Sequence, residues 1–384
     1  MSEVINGYLL REPMSNRDAG FAKWGQAEKN GQKYFIKELL NPRYPTKNSP
    51  YSEDMRKSIC SSCEKFEQEK SLLYRQLNEA SDGNVLRVEE FFRWDGGYYV
   101  VTRWLERAQK SDGAYTVDGK PLSLEWLSDG DSLSVEDVSV MGEQQSVRAC
   151  LALSHAVMKL HSVRIVHADI KPNNVILTRT AFGGISVKLI DMESSFFESD
   201  PPDEVIGDQV YFAPESFMHM MMGSKEHPIG RPIDVFALGL VFHQMLAGSL
   251  PELGDDYNYA FEACLDMQAL KISDKVPVGL RKVIEGMLQK NAADRMTMTE
   301  VYKAFWEYVY GSERVIDVAP EITSDDVFTG TRIEDLNREE LKEAARSRIR
   351  FSSTLKPTTS EDDTFDESSS RLMVNGAFYR PKDL

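Results

Sequence analysis

The period of the apolar positions changes along the chain. Near the start they fall in short runs. Tyr8–Leu10 and Lys23–Ala27 are brief and apolar or mixed, and Tyr34-Phe35-Ile36 follows the turn signal Asn30-Gly31. Runs of this length, bounded by Gly and Asn, predict strands. Cys63, Phe66, Leu73 and Leu77 then recur at roughly helical spacing with charges between them, which predicts a helix. Val85–Phe92 and Tyr98–Thr102 predict two further strands joined by a turn at Asp95-Gly96-Gly97. From Val147 the helical period dominates, with helices predicted over Val147–Leu160, Val235–Leu246, Leu280–Leu288 and Thr299–Tyr310. Two short strands, Val175–Leu177 and Val187–Ile190, lie between the first two of these. The pattern predicts an α+β chain, with a small sheet and one main helix followed by a larger, mostly helical part.

Two stretches depart from both periods. Residues 106–140 are polar and rich in Ser, Asp and Gly, and read as an inserted loop or a short helical excursion. Beyond Gly311 the composition shifts, and residues 353–370 are Ser, Thr, Asp and Glu almost without interruption. Such a segment buries too little apolar surface to offset its chain entropy, so disorder is expected there. A short helix is expected at Arg338–Arg350. The acidic Ser/Thr stretch is a candidate for autophosphorylation or docking, and Leu372, Met373, Val374, Phe378 and Tyr379 are a candidate docking element; a solubilising tail is the plainer reading. The expected organisation is one domain over 1–311, divided near residue 103 into parts spanning about 1–103 and 104–311, and a tail over 312–384.

The chain has 384 residues, and its hydrophobic fraction of 41% fits a folded globular protein. Its formal net charge of −16 argues against nucleic acid or anionic lipid as the main partner, since both call for a basic surface. The longest uncharged apolar run, Val235–Ala247, holds His243 and Gln244 and falls short of the ~20 residues of a membrane span. Met1–Arg11 lacks the apolar stretch of a signal peptide, and four cysteines do not make a disulfide scaffold in a chain this long. Together these point to the cytoplasm. Cys60 and Cys63 form a CxxC without a second pair of zinc ligands, and read as small residues on a helix.

The strongest chemical signal is His167-Ala168-Asp169-Ile170-Lys171-Pro172-Asn173-Asn174, followed at once by the strand Val175-Ile176-Leu177. It matches the pattern H-R-D-L-x-x-x-N with the Arg replaced. Asp169 is placed to accept a hydrogen bond from an attacking hydroxyl. Asn174, five residues on, returns as an oxygen ligand for magnesium, and Lys171 points the same way as Asp169 and reaches toward a γ-phosphate. Lys188-Leu189-Ile190-Asp191, a strand ending in a carboxylate seventeen positions after Asn174, supplies the context.

With these motifs the chain resembles the eukaryotic-type Ser/Thr protein kinases, in order along roughly residues 8–310. The resemblance implies a bilobal fold, ATP and Mg2+ as cofactors, and protein hydroxyls as substrates. It implies that Asp191 and Asn174 hold magnesium and that Asp169 and Lys171 are catalytic. Ala213-Pro214-Glu215 resembles the A-P-E that closes the activation segment, and the resemblance pairs Glu215 with Arg295 and lets Asp234 brace the catalytic loop. In the N-terminal part, Lys37 fits the strand Lys that contacts the α- and β-phosphates. Glu69 is the expected helix partner, because Leu73 follows four residues on, with Glu67 the alternative. Thr102 falls at the gatekeeper place and Arg103-Trp104-Leu105 at the hinge that reads adenine.

The chain departs from the family at four places. The glycine-rich loop keeps only Gly20, with Ala22 at the third glycine place. Ala168 replaces the catalytic-loop Arg, giving a non-RD variant, so activation through an Arg–phosphate contact is not expected. The D-F-G is Asp191-Met192-Glu193, and Asp208 stands where a Thr is usual. These departures motivate a second reading, a nucleotide-binding pseudokinase. A third, an aminoglycoside-type phosphotransferase, is opposed by the Ala-Pro-Glu segment, Arg295 and Asp234.

Overall fold

The computed structural model describes residues 3–16, 22–107, 109–111, 114–117, 120–121, 131–134, 142–179, 185–223, 227–312, 332–335, 372–374 and 377–379. The chain divides into two compact units, one of residues 1–140 with 176–190 and one of 141–175 with 191–384. The insert therefore belongs with the sheet. Gly20 and the segment Arg338–Arg350 lie outside the described residues.

The first unit is built on a six-stranded sheet. Its strands are β1 (Val4–Ile5), β2 (Tyr8–Leu10), β3 (Ala22–Lys29), β4 (Gln32–Leu39), β5 (Val88–Trp94) and β6 (Gly97–Arg103), in the order β1-β2-β3-β4-β6-β5. All its pairings are antiparallel, and tight turns at Asn30-Gly31 and Asp95-Gly96 join neighbours, each of these residues having positive φ. Alternate residues face opposite sides. One side buries Ile5, Tyr8, Leu10, Ala27, Ile36, Tyr99 and Val101 as a core of its own. The other side carries Lys37, Tyr98 and Val100.

Helix α1 (Glu53–Ala80) packs on this second side. Its start is fixed by Ser52, whose Oγ accepts from Met55 N at 3.3 Å, with Glu53 and Asp54 in the first turn. Phe66 meets Tyr98 edge-on at 5.2 Å and Tyr74 meets Phe91 edge-on at 5.3 Å, while Tyr98 Oη donates to Cys63 O at 3.0 Å. Aromatic pairs of this geometry add to the area they bury. Cys60 and Cys63 are both free thiols on this helix, and burial pushes the Cys63 thiol up.

The insert forms strands where a loop or helical excursion was expected. Asp131–Ser134 pairs antiparallel with Val175–Arg179 and parallel with Glu106–Arg107, and Gln109–Ser111, Ala114–Val117 and Lys120–Pro121 form a small sheet of their own. Polar residues take strand form here because an existing strand offers its free edge; the residues alone carry no alternating apolar signal.

The second unit is helical: α2 (Glu143–Ser162), α3 (Pro214–Met222), α4 (Pro232–Ala247), α5 (Ala260–Leu265), α6 (Val278–Met287) and α7 (Met298–Tyr310). Helix α4 is almost wholly buried, starts at Pro232 and stops at Gly248, which takes φ +78°. Helix α7 opens on a capping box in which Thr297 and Glu300 satisfy each other's backbone N–H groups. Phe242 of α4 meets Phe305 of α7 edge-on at 5.1 Å. Among the described residues, no helix is long and apolar enough to cross a membrane. Leu372–Val374 and Ala377–Tyr379 pair as an antiparallel hairpin.

Candidate active site

In the helical unit the candidate catalytic loop hangs from one buried carboxylate. Asp234, in the first turn of α4, is 1% exposed. Its Oδ2 accepts from His167 N at 2.7 Å and from His161 Nε2 at 3.0 Å, and its Oδ1 accepts from Ala168 N at 2.9 Å. Two successive backbone N–H groups and a ring N–H thus fix the start of the loop. Ala168 sits at φ +66°, a left-handed conformation that costs a residue with a Cβ roughly 1–2 kcal/mol. The two bonds from Asp234 hold it there. Asp234→Ala should therefore lower unfolding free energy by about 3–5 kcal/mol, since it strands two buried donors and a third that is part-buried. A urea-denaturation midpoint that fails to move would refute this brace.

The bend at Ala168 turns Asp169 into the site. Lys171 Nζ donates to both its carboxylate oxygens, at 3.1 and 2.9 Å. Asn174 Nδ2 donates to Asp169 O at 2.8 Å and to Asp169 Oδ2 at 2.9 Å. Burial pushes the Asp169 carboxyl above the ordinary Asp range; Lys171 pulls it back, and the nearby Asp191 charge pushes it up again. The Asn174 amide, with its nitrogen committed to Asp169, has its oxygen to offer a cation. The Asn174 oxygen and the Asp191 carboxylate are hard oxygen donors of the kind that suits magnesium.

Asp191 itself has φ 68° and ψ 65°, a left-handed state that Asp tolerates better than most residues. Glu193 is not among the positive-φ residues, so no glycine is required at its place. Met192, at the place of the family's apolar peg, is buried at 4% exposure. Asp208 is exposed and turns its Oδ1 to Val210 N at 3.0 Å, capping a short 3-10 turn at Gln209–Tyr211. Asp169, Asp208, Tyr211 and Phe212 line a pocket over the loop.

Glu215 and Arg295 form the ion pair expected of them, with side chains 5% and 1% exposed. Arg295 Nη2 donates to Glu215 Oε2 at 2.8 Å, and Nη1 bonds Glu215 Oε1.

In the sheet unit, Lys37 lies in β4 opposite Trp24 and Val100. Thr102 is opposite Phe35, and Trp104 N donates to Lys33 O at 3.2 Å just past Arg103. Ala22 opens β3 and is 4% exposed. Glu69 forms an ion pair with Lys65 at 3.2 Å on the solvent side of α1, while Glu67 lies 3.7 Å from Arg93. The residue on the inward row is Lys70, four before Tyr74 and four after Phe66. Burial pushes its ammonium down to about 8. The signal was in the spacing Cys63, Phe66, Lys70, Leu73, Tyr74, Leu77, which puts Lys70 on the row and Glu69 beside it.

A sheet with one main helix, a helical unit and a loop braced from α4 together define one class of fold. The protein kinase domain family matches residues 74–307, more than half of the chain, and the chain belongs to that family. The match begins past the strand that carries Lys37. A serine/threonine-protein kinase of Drosophila persimilis, GL21140, is 30% identical over 205 residues, 50% of this chain and 25% of that protein. Serine/threonine-protein kinase GRIK2 of Arabidopsis thaliana is 28% identical over 193 residues, covering 50% and 43%. Serine/threonine-protein kinase PSK2 of Saccharomyces cerevisiae is 27% identical over 231 residues, covering 60% and 18%. The chain thus spans less than half the length of each.

Proposed function

We propose that the chain transfers the γ-phosphoryl group of Mg-ATP to Ser or Thr hydroxyls of protein substrates. One observation carries this reading: Lys171 and Asn174 each reach within 3.1 Å of the Asp169 carboxylate on a loop held by Asp234. Asp169 accepts the proton of the attacking hydroxyl, and Lys171 counters the upward push of burial on that carboxyl while presenting positive charge toward the transferring group. Asn174 orients Asp169 by its two Nδ2 bonds. Asn174 and Asp191 in the helical unit would hold magnesium, which would offset the charge of the transferring group, and Lys37 in the sheet unit is the candidate for contacting the α- and β-phosphates of ATP. Lys171 also resembles the Ser/Thr-type loop, and the kinship with serine/threonine-protein kinases supports the same choice of acceptor. All four cysteines are free thiols, which supports a reducing compartment, the cytoplasm.

The test is incubation of the full chain with γ-labelled ATP, magnesium and a generic protein acceptor, followed by phosphoamino-acid analysis. Labelled Ser or Thr is expected, and label on residues 353–370 would establish autophosphorylation of the tail. A folded chain that leaves every hydroxyl unlabelled overturns the proposal.

One observation in the sheet unit favours the second reading, a nucleotide-binding module without turnover. Trp24 and Phe35 stack at 5.6 Å and 20°, on the face of the sheet that carries Lys37. Two large rings beside the phosphate-binding lysine leave less room for a planar base than small side chains would. Saturable ATP binding with no label transfer selects this reading.

A further inference from the structure

Residues 332–335 are seated on the loop that precedes α7. Arg332 donates to both carboxylate oxygens of Asp294, at 3.2 and 2.9 Å. Ile333 is 3% exposed, and its N–H donates to Asn291 Oδ1 at 2.9 Å. Glu334 takes Lys290 Nζ at 2.8 Å and Asn291 Nδ2 at 3.0 Å. A turn closes the element, with Asp335 N donating to Arg332 O at 3.1 Å. Three consecutive residues each have their own counterpart, although the partners stand 38 or more positions away in the chain.

The central reader is Asn291, which is 2% exposed. Its oxygen accepts from the backbone of the seated segment while its nitrogen donates to Glu334 and, at 3.1 Å, to Asp294. Only an amide does both. A carboxylate at this position would lose the donor and face two other carboxylates. Charge then fixes direction: the cation at Lys290 meets the acidic end of the segment and the anion at Asp294 meets its basic end. The Lys290 contact draws the Glu334 carboxyl down to about 2.

The geometry points to a docking site on the loop Gln289–Arg295 that recognises a short peptide of the order Arg, branched aliphatic, Glu, and that the chain fills with its own residues 332–334. The same loop offers the carbonyls of Gln289 and Lys290 to Arg295, at 2.7 and 3.2 Å. The seated segment and the anchor of Glu215 therefore share one short piece of backbone.

A labelled peptide of residues 328–339 tests the site in trans. In the full chain, the double substitution R332E/I333D vacates the site by charge reversal and by burying a carboxylate. This variant should bind the peptide saturably, and the wild-type chain at least ~10-fold more weakly, because its site is already filled. Adding Asn291→Asp should abolish binding, and a peptide carrying Glu334→Gln should restore part of it, since the glutamine supplies the donor lost with the Asn291 amide. Hydrogen exchange on the unaltered chain is the second measurement: the Ile333 amide should be protected. No binding to the vacated chain, binding indifferent to Asn291→Asp, or an Ile333 amide that exchanges at the free-peptide rate would each overturn the assignment.

Discussion

Asp169→Asn is expected to lower phosphoryl transfer by about 10³-fold while leaving the melting temperature essentially where it was. Removing a positioned general base commonly costs roughly 10²–10⁴-fold. The stability half of the prediction comes from the direction of the Asp169 shift. Burial raises this carboxyl above its unfolded value. Such a group stabilises the fold at low pH, where it is protonated, and that contribution is lost as pH rises through the folded pKa. At neutral pH the buried charge does not help the fold, so replacing it with a neutral isostere costs little. An Asp169→Asn protein that melts far below wild type would make the residue structural. The acid limb of the pH–rate profile follows from the same causes. Activity needs the ionised form, so the limb should lie above that of an ordinary Asp. Lys171→Met removes the cation that pulls the pKa down, and should move the limb to still higher pH as kcat falls. An unmoved limb would separate Lys171 from Asp169 electrically, against their 2.9 Å contact.

How much of this was readable in the sequence depended on whether a feature is local. The catalytic loop is eight contiguous residues followed by a strand, and its signal survives the replacement of Arg by Ala168. The expected brace, Asp234, and the expected pair, Glu215–Arg295, could be named because each belongs to a short motif. The expected partner of Lys37, Glu69 with Glu67 as the alternative, rests on a finer choice. Adjacent residues on a helix point about 100° apart, so the choice between Glu69 and Glu67 depends on which row α1 turns inward. That row is set by Tyr98 and Phe91 on strands that come later in the chain. The insert misled for a related reason: its strands are polar, and pairing with Val175–Arg179 decides their form. The seating of residues 332–335 was not legible at all. It depends on one amide, Asn291, whose two bonding ends mean nothing until both chain segments are side by side. The aromatic pair Trp24–Phe35 could have been found from the strand register alone, since both residues share the face of Lys37.

Arg295→Met is expected to cost about 4 kcal/mol of unfolding free energy, roughly twice the loss from Glu215→Gln. The two partners are not equivalent in what they leave behind. Arg295 bonds Glu215 through both terminal nitrogens, but it also donates to the carbonyls of Pro232 at 3.0 Å, Gln289 at 2.7 Å and Lys290 at 3.2 Å, and it lies 4.8 Å over the Phe236 ring. With Glu215 neutralised, the guanidinium keeps those three carbonyls and the ring. With Arg295 gone, a carboxylate whose side chain is only 5% exposed keeps only the positive end of α3, whose first turn it occupies. Stranding a buried charge is the costly half of breaking such a pair, about 3–5 kcal/mol, whereas replacing both partners with apolar residues often costs little. The double variant Arg295→Met/Glu215→Leu should therefore recover at least ~1–2 kcal/mol over the Arg295→Met single variant, read from urea denaturation as a double-mutant cycle. If the two losses simply add, the pair carries no coupling and the closure of the activation segment must rest on other contacts. If Glu215→Gln costs as much as Arg295→Met, the carbonyl ligands of Arg295 contribute nothing, and the asymmetry of this site has no energetic content.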